Sequence, residues 1–269
     1  MSVNKKNELL KTYVSNTGIM RISLNDPVNL NALSEKMIDS MHDYLDKAAS
    51  NDKVRVIIIA SEGLAFSSGH DLKELRLAKD SADKGKNFYK KIMKKCSKMM
   101  QAIINNPKPV IAEVGGTATA AGCQLVASCD LAYASRSAKF ATPGVNIGLF
   151  CSTPMVALSR SLSNKHSLEM LLTGDLISSE KAYRIGLINE VLDDKELRNF
   201  VETQAFKISK KSSMTLKTGK KAFYKQINMN LSDAYNYASK IMVENMLKLD
   251  AEEGINAFIE KRQPRWHDK

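Results

Sequence analysis

The sequence lacks the residue patterns that build metal sites, disulfide-bonded scaffolds and membrane spans. Its four histidines are scattered without metal-ligand spacing, and no apolar run approaches the roughly 20 residues that a transmembrane helix needs. No Cys-x-x-Cys pair occurs among the four cysteines, which are Cys96, Cys123, Cys129 and Cys151. We therefore expect no bound metal, no insertion into a membrane, and free thiols in a reducing compartment.

Residues 1–10 show no targeting pattern. They are mostly polar, and they have neither the apolar stretch of a secretory signal nor the Arg-rich amphipathic pattern of a transit peptide. This predicts a cytoplasmic protein, or a mature form that has already been processed.

What the sequence does have is an ordinary globular composition with an excess of positive charge. It contains 269 residues, of which 43% are hydrophobic and 26% charged, and its formal net charge is +11. Such a charge suits nucleic acid, an anionic membrane surface or a polyphosphate ligand, and charge alone does not distinguish the three. No repeat, low-complexity tract or Pro/Gly-rich linker divides the chain.

Strand and helix patterns alternate along most of the chain, which predicts an α/β fold. Residues 11–24 read as a hairpin, and residues 31–49 as a helix capped by Ser34. Short apolar runs rich in β-branched residues predict buried strands at residues 54–60, 109–114 and 131–134. Beyond Gly174 the pattern is mostly helical, with one long apolar stripe over residues 234–249. We therefore expect a sheet core followed by a helical C-terminal region.

A long amphipathic helix is predicted over residues 84–106, with apolar side chains on one face. Its opposite face carries a lysine row: Lys90, Lys91, Lys94, Lys95 and Lys98. A lysine row can bind nucleic acid, but no aromatic residues interleave with it to stack on bases. We favour a solvated helix face that adds to a general attraction for phosphates.

Two segments have only small side chains just before the start of a helix, so a ligand could approach their backbone N–H groups. Residues 66–75 (FSSGHDLKEL) and residues 115–130 (GGTATAAGCQLVASCD) each follow a strand with small residues and then enter a helix. Helix N-termini offer unpaired N–H groups that favour an anion. Taken singly, a tight turn capped by Asp71 explains the first segment, and close helix–strand packing explains the second. Two such junctions about fifty residues apart fit a two-donor anion site better.

Six segments resemble the enoyl-CoA hydratase/isomerase, or crotonase, superfamily in their order and spacing. They are residues 24–34, 65–75, 107–135, 139–149, 173–191 and 253–266, and together they cover essentially the whole chain. The stretches AAGCQLVASCD and FATPGVNIGLFCSTP resemble the enoyl-CoA hydratase domain-containing protein 3 group within that superfamily.

The resemblance implies the crotonase (ClpP-like) spiral fold, an α/β architecture of repeated ββα units. It implies a ββα core over residues 1–200 and a C-terminal helical trimerisation region over residues 201–269, assembled as a homotrimer or a dimer of trimers. The implied activity is that of a lyase or isomerase acting on acyl-CoA in fatty acid metabolism. Coenzyme A enters as part of the substrate, and no separate cofactor is expected.

The resemblance also implies positions for the acyl-CoA. The thioester carbonyl is expected between the backbone N–H groups of His70 and Ala121, which form an oxyanion hole. The pantetheine and adenine path is expected along Ala32, Leu33, Ser68, Asp71 and Leu72, with Phe258 and Lys261 contributed by the C-terminal helix of this or a neighbouring subunit. For Asp71 and Leu72, roles as helix cap and core residue are compatible with this one.

The sequence departs from the family at both of the positions where hydratases carry glutamates. Those positions hold Gln124, which accepts no proton at neutral pH, and Gly144, which has no side chain. Ser152 stands where some isomerases carry an aspartate. Positioned acid–base groups contribute about 10²–10⁴ each to a rate, so we expect ordinary hydration to be slow.

Several alternatives stay open. The His70 side chain resembles a Gly-His-Asp version of this loop in family decarboxylases, where no base is needed, but those enzymes carry a tyrosine at the Cys151 position. Cys151 is a base or nucleophile only if its pKa is lowered, and a packed thiol is the simpler interpretation. The remaining hypotheses are a decarboxylase or hydrolase of acyl-CoA, an acyl-CoA-binding pseudoenzyme, and, as the weakest, an RNA-binding protein.

Overall fold

A six-stranded sheet forms the centre of the protein in a computed structural model that describes residues 8–269. In spatial order its strands are β1 (Leu10–Val14), β2 (Ile19–Leu24), β3 (Val56–Ser61), β5 (Val110–Val114), β7 (Leu131–Ser135) and β10 (Glu190–Leu192). β1 and β2 form the predicted antiparallel hairpin, and every later pairing is parallel. The polar residues 1–7, part of the segment on which the location was predicted, lie outside the described residues.

A second sheet is built from the strands that directly follow the first ones along the chain. Its order is β4 (Ala65–Ser67), β6 (Thr117–Thr119), β8 (Lys139–Ala141) and β9 (Ile177–Ser178), with β4, β6 and β8 parallel. The chain therefore repeats a unit of two strands and a helix. The first strand of each unit joins the six-stranded sheet, and the second joins the four-stranded sheet. This confirms the predicted α/β fold of ββα units.

Eleven α-helices surround the sheets within residues 8–269. They are α1 (Glu35–Ser50), α2 (Leu72–Ala78), α3 (Lys86–Ile104), α4 (Ala121–Ser128), α5 (Ser152–Ser161), α6 (Asn164–Thr173), α7 (Ser179–Arg184), α8 (Leu197–Ser209), α9 (Ser213–Gln226), α10 (Leu231–Met246) and α11 (Leu249–Ile259). The last four follow β10 and form the expected helical C-terminal region. The expected boundary at residues 200 and 201 stays a prediction; those positions lie inside α8.

Two helix predictions need correction. The helix expected from residue 31 begins at Glu35, because Leu30 and Asn31 have φ of 53° and 52°, a region that a right-handed helix excludes. Ser34 does cap it, accepting from the Met37 N–H at 3.2 Å. The single C-terminal stripe over residues 234–249 is split, since α10 ends at Met246 and α11 starts at Leu249 after an extended Lys248.

The core lies on both faces of the six-stranded sheet. Ile57 and Ile59 of β3 pack into the larger cluster, which includes α1 and α3. Val56 and Ile58 point the other way and pack with residues of α8. β3 is therefore buried on both faces, as its continuous apolar run predicts.

A buried ion pair lies on the α8 side of the sheet. The Arg21 guanidinium donates to both Glu113 carboxylate oxygens, at 2.8 and 2.6 Å, and also contacts Glu202 at 3.3 Å. The side chains of Arg21 and Glu113 are almost fully removed from water. Such a pair adds little net stability over apolar residues of similar volume, but breaking it leaves an unpaired buried charge.

We expect Arg21→Met to lower the free energy of unfolding by about 3–5 kcal/mol, because the Glu113 carboxylate would be buried without its partner. The double variant Arg21→Met with Glu113→Leu should recover most of that loss. Urea denaturation of the two variants and the parent protein measures both effects. Equal stability of the single and double variants would contradict this account.

Candidate functional site

The two small-residue junctions lie side by side. They follow β4 and β6, which are parallel neighbours, so both segments leave the sheet at the same edge. The Thr119 hydroxyl on β6 donates to the Ser68 carbonyl oxygen at 3.1 Å and links the two junctions directly. The sequence favoured one anion site built from both junctions, and the fold does place the two junctions next to each other.

Glycine makes this approach possible. Gly69 has a φ of 86°, and a Cβ atom there would lie 2.9 Å from Ala120 Cβ and 3.0 Å from the Ala121 nitrogen. A Cβ atom at Gly122 would overlap the Ser67 carbonyl oxygen. Any side chain at either position would push the two junctions apart.

A third segment supports the first junction. The Leu33 N–H donates to the Gly69 carbonyl at 2.7 Å, and the Ser68 N–H donates to the Leu30 carbonyl at 3.0 Å. Leu33 and His70 form an isolated parallel bridge as a result. Residues 30–33 therefore run alongside residues 68–70.

Asn31 organises this third segment, and the sequence pattern did not predict its role. Its side chain is fully buried; it accepts from the Asp26 N–H and donates to the carbonyls of Glu62 and Ala65. The one signal was an asparagine inside an apolar stretch, since asparagine tolerates the left-handed conformation better than other side chains. Because a helix was predicted to begin at residue 31, this signal was not used.

The N–H groups of His70 and Ala121 have no hydrogen-bond acceptor within residues 8–269. Ala121 is the first residue of α4, where no helical partner exists, and Ala120 before it supplies no side-chain cap. Ala120 has φ 50° and ψ −119°, an unfavourable conformation for a residue with a Cβ atom, and its own N–H is held by the Ala141 carbonyl at 2.9 Å. The Ala121 N–H is thus buried but unpaired at a helix N-terminus, where the dipole attracts negative charge.

A surface pocket of about 300 Å³ opens beside His70, and Ala121 is not among the residues that line it. Five of the predicted site residues line it: Ala32, Ser68, His70, Asp71 and Leu72. Leu33 is fully buried. Asp71 also caps α2, since its carboxylate accepts from the N–H groups of Lys73 and Glu74. It therefore has the helix-capping role that was considered for it.

The predicted C-terminal contributors do not reach this pocket within the single chain. Phe258 lies near the end of α11 with 85% of its surface exposed, and Lys261 follows the helix. Their expected contribution from a neighbouring subunit stays a prediction.

Gln124 lies one helical turn after Ala121 and is buried, with 5% of its surface exposed. Its Oε1 atom has no hydrogen-bond partner among the described residues. The side chain helps to line a groove of about 340 Å³ between α3, α4 and α5, whose apolar walls include Met100, Val156 and Ala157. Gln124 therefore offers a neutral acceptor to this groove.

Gly144 sits in a 3₁₀ turn (Pro143–Ile147), and its φ is not in the left-handed region. A Cβ atom there would lie 2.7 Å from the Leu149 carbonyl oxygen and 2.8 Å from Cys151 Sγ. The following loop thus occupies the space that a side chain at this position would need.

The alternative base Cys151 is not activated. Only 8% of its surface is exposed, and burial raises the pKa of its thiol, although a hydrogen bond with the Gly144 backbone offsets part of that shift. The thiol is therefore protonated at neutral pH, as expected of a packed cysteine. Ser152 is exposed, and its hydroxyl donates to the Phe150 carbonyl.

The His70 imidazole is the other unusual group of the site. Both ring nitrogens are shielded from water and have no hydrogen-bond partner within the described chain. Burial lowers the pKa of His70, and the Leu33 carbonyl offsets only part of the shift. The ring is therefore neutral at pH 7.

The lysine row of α3 is partly neutralised by α1. Lys91 pairs with Glu35 at 2.8 Å, and Lys95 pairs with both Glu35 and Asp39 at 2.7 Å. Within residues 8–269, no helix has the length and apolar content required to cross a bilayer, and no three His, Cys, Asp or Glu side chains group as metal ligands do.

Comparison with known proteins identifies the family. A family model described as Enoyl-CoA hydratase/isomerase matches residues 14–269. The mitochondrial enoyl-CoA hydratase domain-containing protein 3 of Homo sapiens is 49% identical over 250 residues, covering 93% of this chain and 80% of that protein. The Xenopus laevis protein of the same name is 48% identical over 249 residues, covering 93% of this chain and 83% of its own.

Solved structures share the fold. The crystal structure of the human enoyl-CoA hydratase domain-containing protein 3 matches with a TM-score of 0.91 and 45% identity, covering 96% of this chain and all of that one. An enoyl-CoA hydratase of Mycobacterium smegmatis matches with a TM-score of 0.92 and 44% identity, covering 97% and 99%.

The prediction of a cytoplasmic location is wrong. The relatives from Xenopus, rat, mouse and human are all named as mitochondrial, which points to the mitochondrion. The physical reason for the error is that a removable segment directs import, whereas the composition of a folded domain does not indicate its cellular location.

The matching segments, the parallel two-sheet spiral and the paired N–H groups at its edge agree with these comparisons. This chain belongs to the enoyl-CoA hydratase/isomerase, or crotonase, superfamily, alongside the enoyl-CoA hydratase domain-containing protein 3 group.

Proposed function

We propose that the chain binds an acyl-CoA thioester and stabilises its enolate between the backbone N–H groups of His70 and Ala121. The observation that carries this proposal is the pair of unsatisfied N–H groups at two junctions held in contact. Negative charge develops on the thioester oxygen when a proton or carboxylate leaves the neighbouring carbon. Losing one such preorganised donor typically costs roughly 10²–10³ in rate.

The coenzyme A portion lies along the pocket beside these donors. Ala32, Ser68 and Leu72 line its path, and Asp71 closes the helix end next to it. The net charge of +11 favours the phosphates of coenzyme A. Coenzyme A arrives as part of the substrate, so the proposal requires no separate cofactor.

Assembly as a homotrimer or a dimer of trimers completes the site. Large apolar side chains are exposed on the C-terminal helices, among them Met242, Val243, Met246, Ile255, Phe258 and Ile259. Covering such a surface with further copies of the chain removes it from water. The same contact brings Phe258 and Lys261 of one subunit to the coenzyme A of another. The location that fits the relatives is the mitochondrion.

Ordinary hydration is not the activity that this site favours. Gln124 is neutral, and no side chain fits at Gly144, so the two carboxylates that position and activate water are missing. Carbonyl polarisation remains, which suits a reaction such as decarboxylation, where no proton is removed from carbon. The same two positions also favour a second candidate, a protein that holds acyl-CoA without turnover.

We expect Gly69→Ala to weaken butyryl-CoA binding by about tenfold or more, in line with the ~1–3 kcal/mol lost with a buried hydrogen bond. Its methyl group would press against Ala120 and Ala121 and displace a donor. The matched control is Gly186→Ala: Gly186 also has a φ of 86°, but no atom lies within 4 Å of the place that its methyl group would take. Calorimetry gives both affinities, and equal weakening by the two variants would count against the site.

We expect crotonyl-CoA hydration to be roughly 10³-fold or more slower than in relatives that carry both glutamates, because two acid–base groups are missing. Gln124→Glu should recover part of the rate. Gly144→Glu should not, since its side chain meets Leu149 and Cys151. Absorbance of the enoyl thioester follows the reaction. A rate typical of the family in the unchanged protein would show that another group activates water.

A further inference from the structure

The groove of about 340 Å³ between α3, α4 and α5 begins one helical turn from Ala121. Along α5 it is lined at the three- and four-residue spacing of a single helix face, by Thr153, Val156, Ala157 and Arg160. The groove therefore follows α5 for about two turns.

Helices α4 and α5 lie side by side and run in the same direction. Burial and the nearby Cys151 raise the pKa of the Cys123 thiol to about 12, which places the start of α5 close to the first turn of α4. At the other end, the Ser161 hydroxyl donates to the Ala127 carbonyl oxygen at 3.1 Å. One end of the groove therefore faces the start of α4, where the unpaired Ala121 N–H lies, and the other end lies where both helices finish.

The two ends of the groove are polar and its walls are apolar. Gln124, with its unpaired Oε1 atom, lies at the near end, and Arg160 lies at the far end. Between them the walls include Met100, Val156 and Ala157. Val156 is exposed, so within the single chain the groove is open to water.

Arg160 has no carboxylate to pair with on the helices that form the groove. Neither α3, α4 nor α5 contains an aspartate or a glutamate. Within residues 8–269 the guanidinium makes one hydrogen bond, which its Nη1 donates to the Val156 carbonyl oxygen at 3.0 Å. That bond holds the guanidinium over the turn of α5 that lines the groove and leaves its other N–H groups available to a ligand.

We infer that the groove holds an acyl chain whose far end is a carboxylate bound by Arg160. The substrate class is therefore a dicarboxylic acid joined to coenzyme A through one of its two carboxyl groups. This rests on the proposed function, because the thioester oxygen must lie on the N–H groups of His70 and Ala121 for the chain to enter beside Gln124. Methylene groups fit the apolar walls, and the planar fork of a guanidinium matches the two oxygens of a carboxylate.

The length of the groove sets the length of the chain. From Ala121 to Ser128, α4 advances about 10 Å at a rise of about 1.5 Å per residue. With C–C bonds of about 1.5 Å, an extended chain advances roughly 1.25 Å per carbon, so about eight carbons cover this distance. Octanedioyl-CoA is the matching ligand, and octanoyl-CoA is the same chain without the terminal carboxylate.

The test compares the affinities of these two ligands by calorimetry. The unchanged protein should bind octanedioyl-CoA about tenfold more tightly than octanoyl-CoA, because only the first ligand forms charge-assisted hydrogen bonds with Arg160. Arg160→Met should lose this preference and keep its affinity for octanoyl-CoA within a few-fold. The matched control is Lys98→Met, which removes one positive charge from an exposed position of α3 outside the groove lining and should leave the preference unchanged.

Salt gives a second readout in the unchanged protein. Raising the ionic strength from about 0.05 M to about 0.5 M screens a charge pair at an open groove, so the preference should shrink. Both ligands carry the same coenzyme A phosphates, and their ratio therefore isolates the terminal carboxylate. Arg160→Lys keeps the charge but lacks the fork, so its preference should be intermediate. These measurements still decide the matter if Arg160→Met does not fold.

Three results overturn the inference. They are equal affinity of the unchanged protein for the two ligands, a preference that survives in Arg160→Met, and an equal loss of preference in Lys98→Met. A fall in sedimentation mass of Arg160→Met with no change in the ligand ratio also overturns it, because Arg160 would then pair with another copy of the chain. In each case binding of octanoyl-CoA leaves the proposed function standing. Failure to bind either ligand overturns the proposed function as well.

Discussion

The close contact between Gly69 and the Ala120–Ala121 backbone is the constraint on which the site depends. It exists because β4 and β6 are parallel neighbours whose ends leave the same edge of the sheet. Gly69 holds a left-handed φ and Ala120 an unfavourable one, so both junctions are forced into conformations that ordinary residues avoid. The result is two unpaired backbone N–H groups, of His70 and Ala121, on adjacent junctions within the described residues.

Much of this arrangement was predictable from the sequence. The strands at residues 54–60 and 109–114 are marked by continuous β-branched runs, and α4 (Ala121–Ser128) follows the small residues of the 115–130 segment, as predicted. The start of α1 was not predictable, because distant contacts hold the residues before it, and the crowding at Gly144 was not predictable, because it depends on how the loop with Leu149 and Cys151 folds back. Asn31 shows this directly: its amide bonds to Glu62 and Ala65, over thirty residues away.

The departures from the family separate two parts of thioester chemistry. Polarisation of the carbonyl needs only backbone geometry, which tolerates changes of side chain at His70 and Ala121. Proton transfer needs particular side chains, and Gln124 and Gly144 do not supply them. The crowding of Gly144 by Leu149 and Cys151 means that restoring this carboxylate would require a different loop. The fold therefore keeps the unpaired main-chain N–H groups on which the proposed polarisation of the carbonyl depends.

The most direct test of the central claim is the infrared stretching frequency of a ¹³C-labelled thioester carbonyl in bound butyryl-CoA. Two preorganised donors withdraw electrons from the oxygen and weaken the double bond. We predict a frequency below that of the same ligand in buffer, and a smaller displacement in Gly69→Ala than in Gly186→Ala. A bound carbonyl at or above its frequency in buffer would contradict the claim.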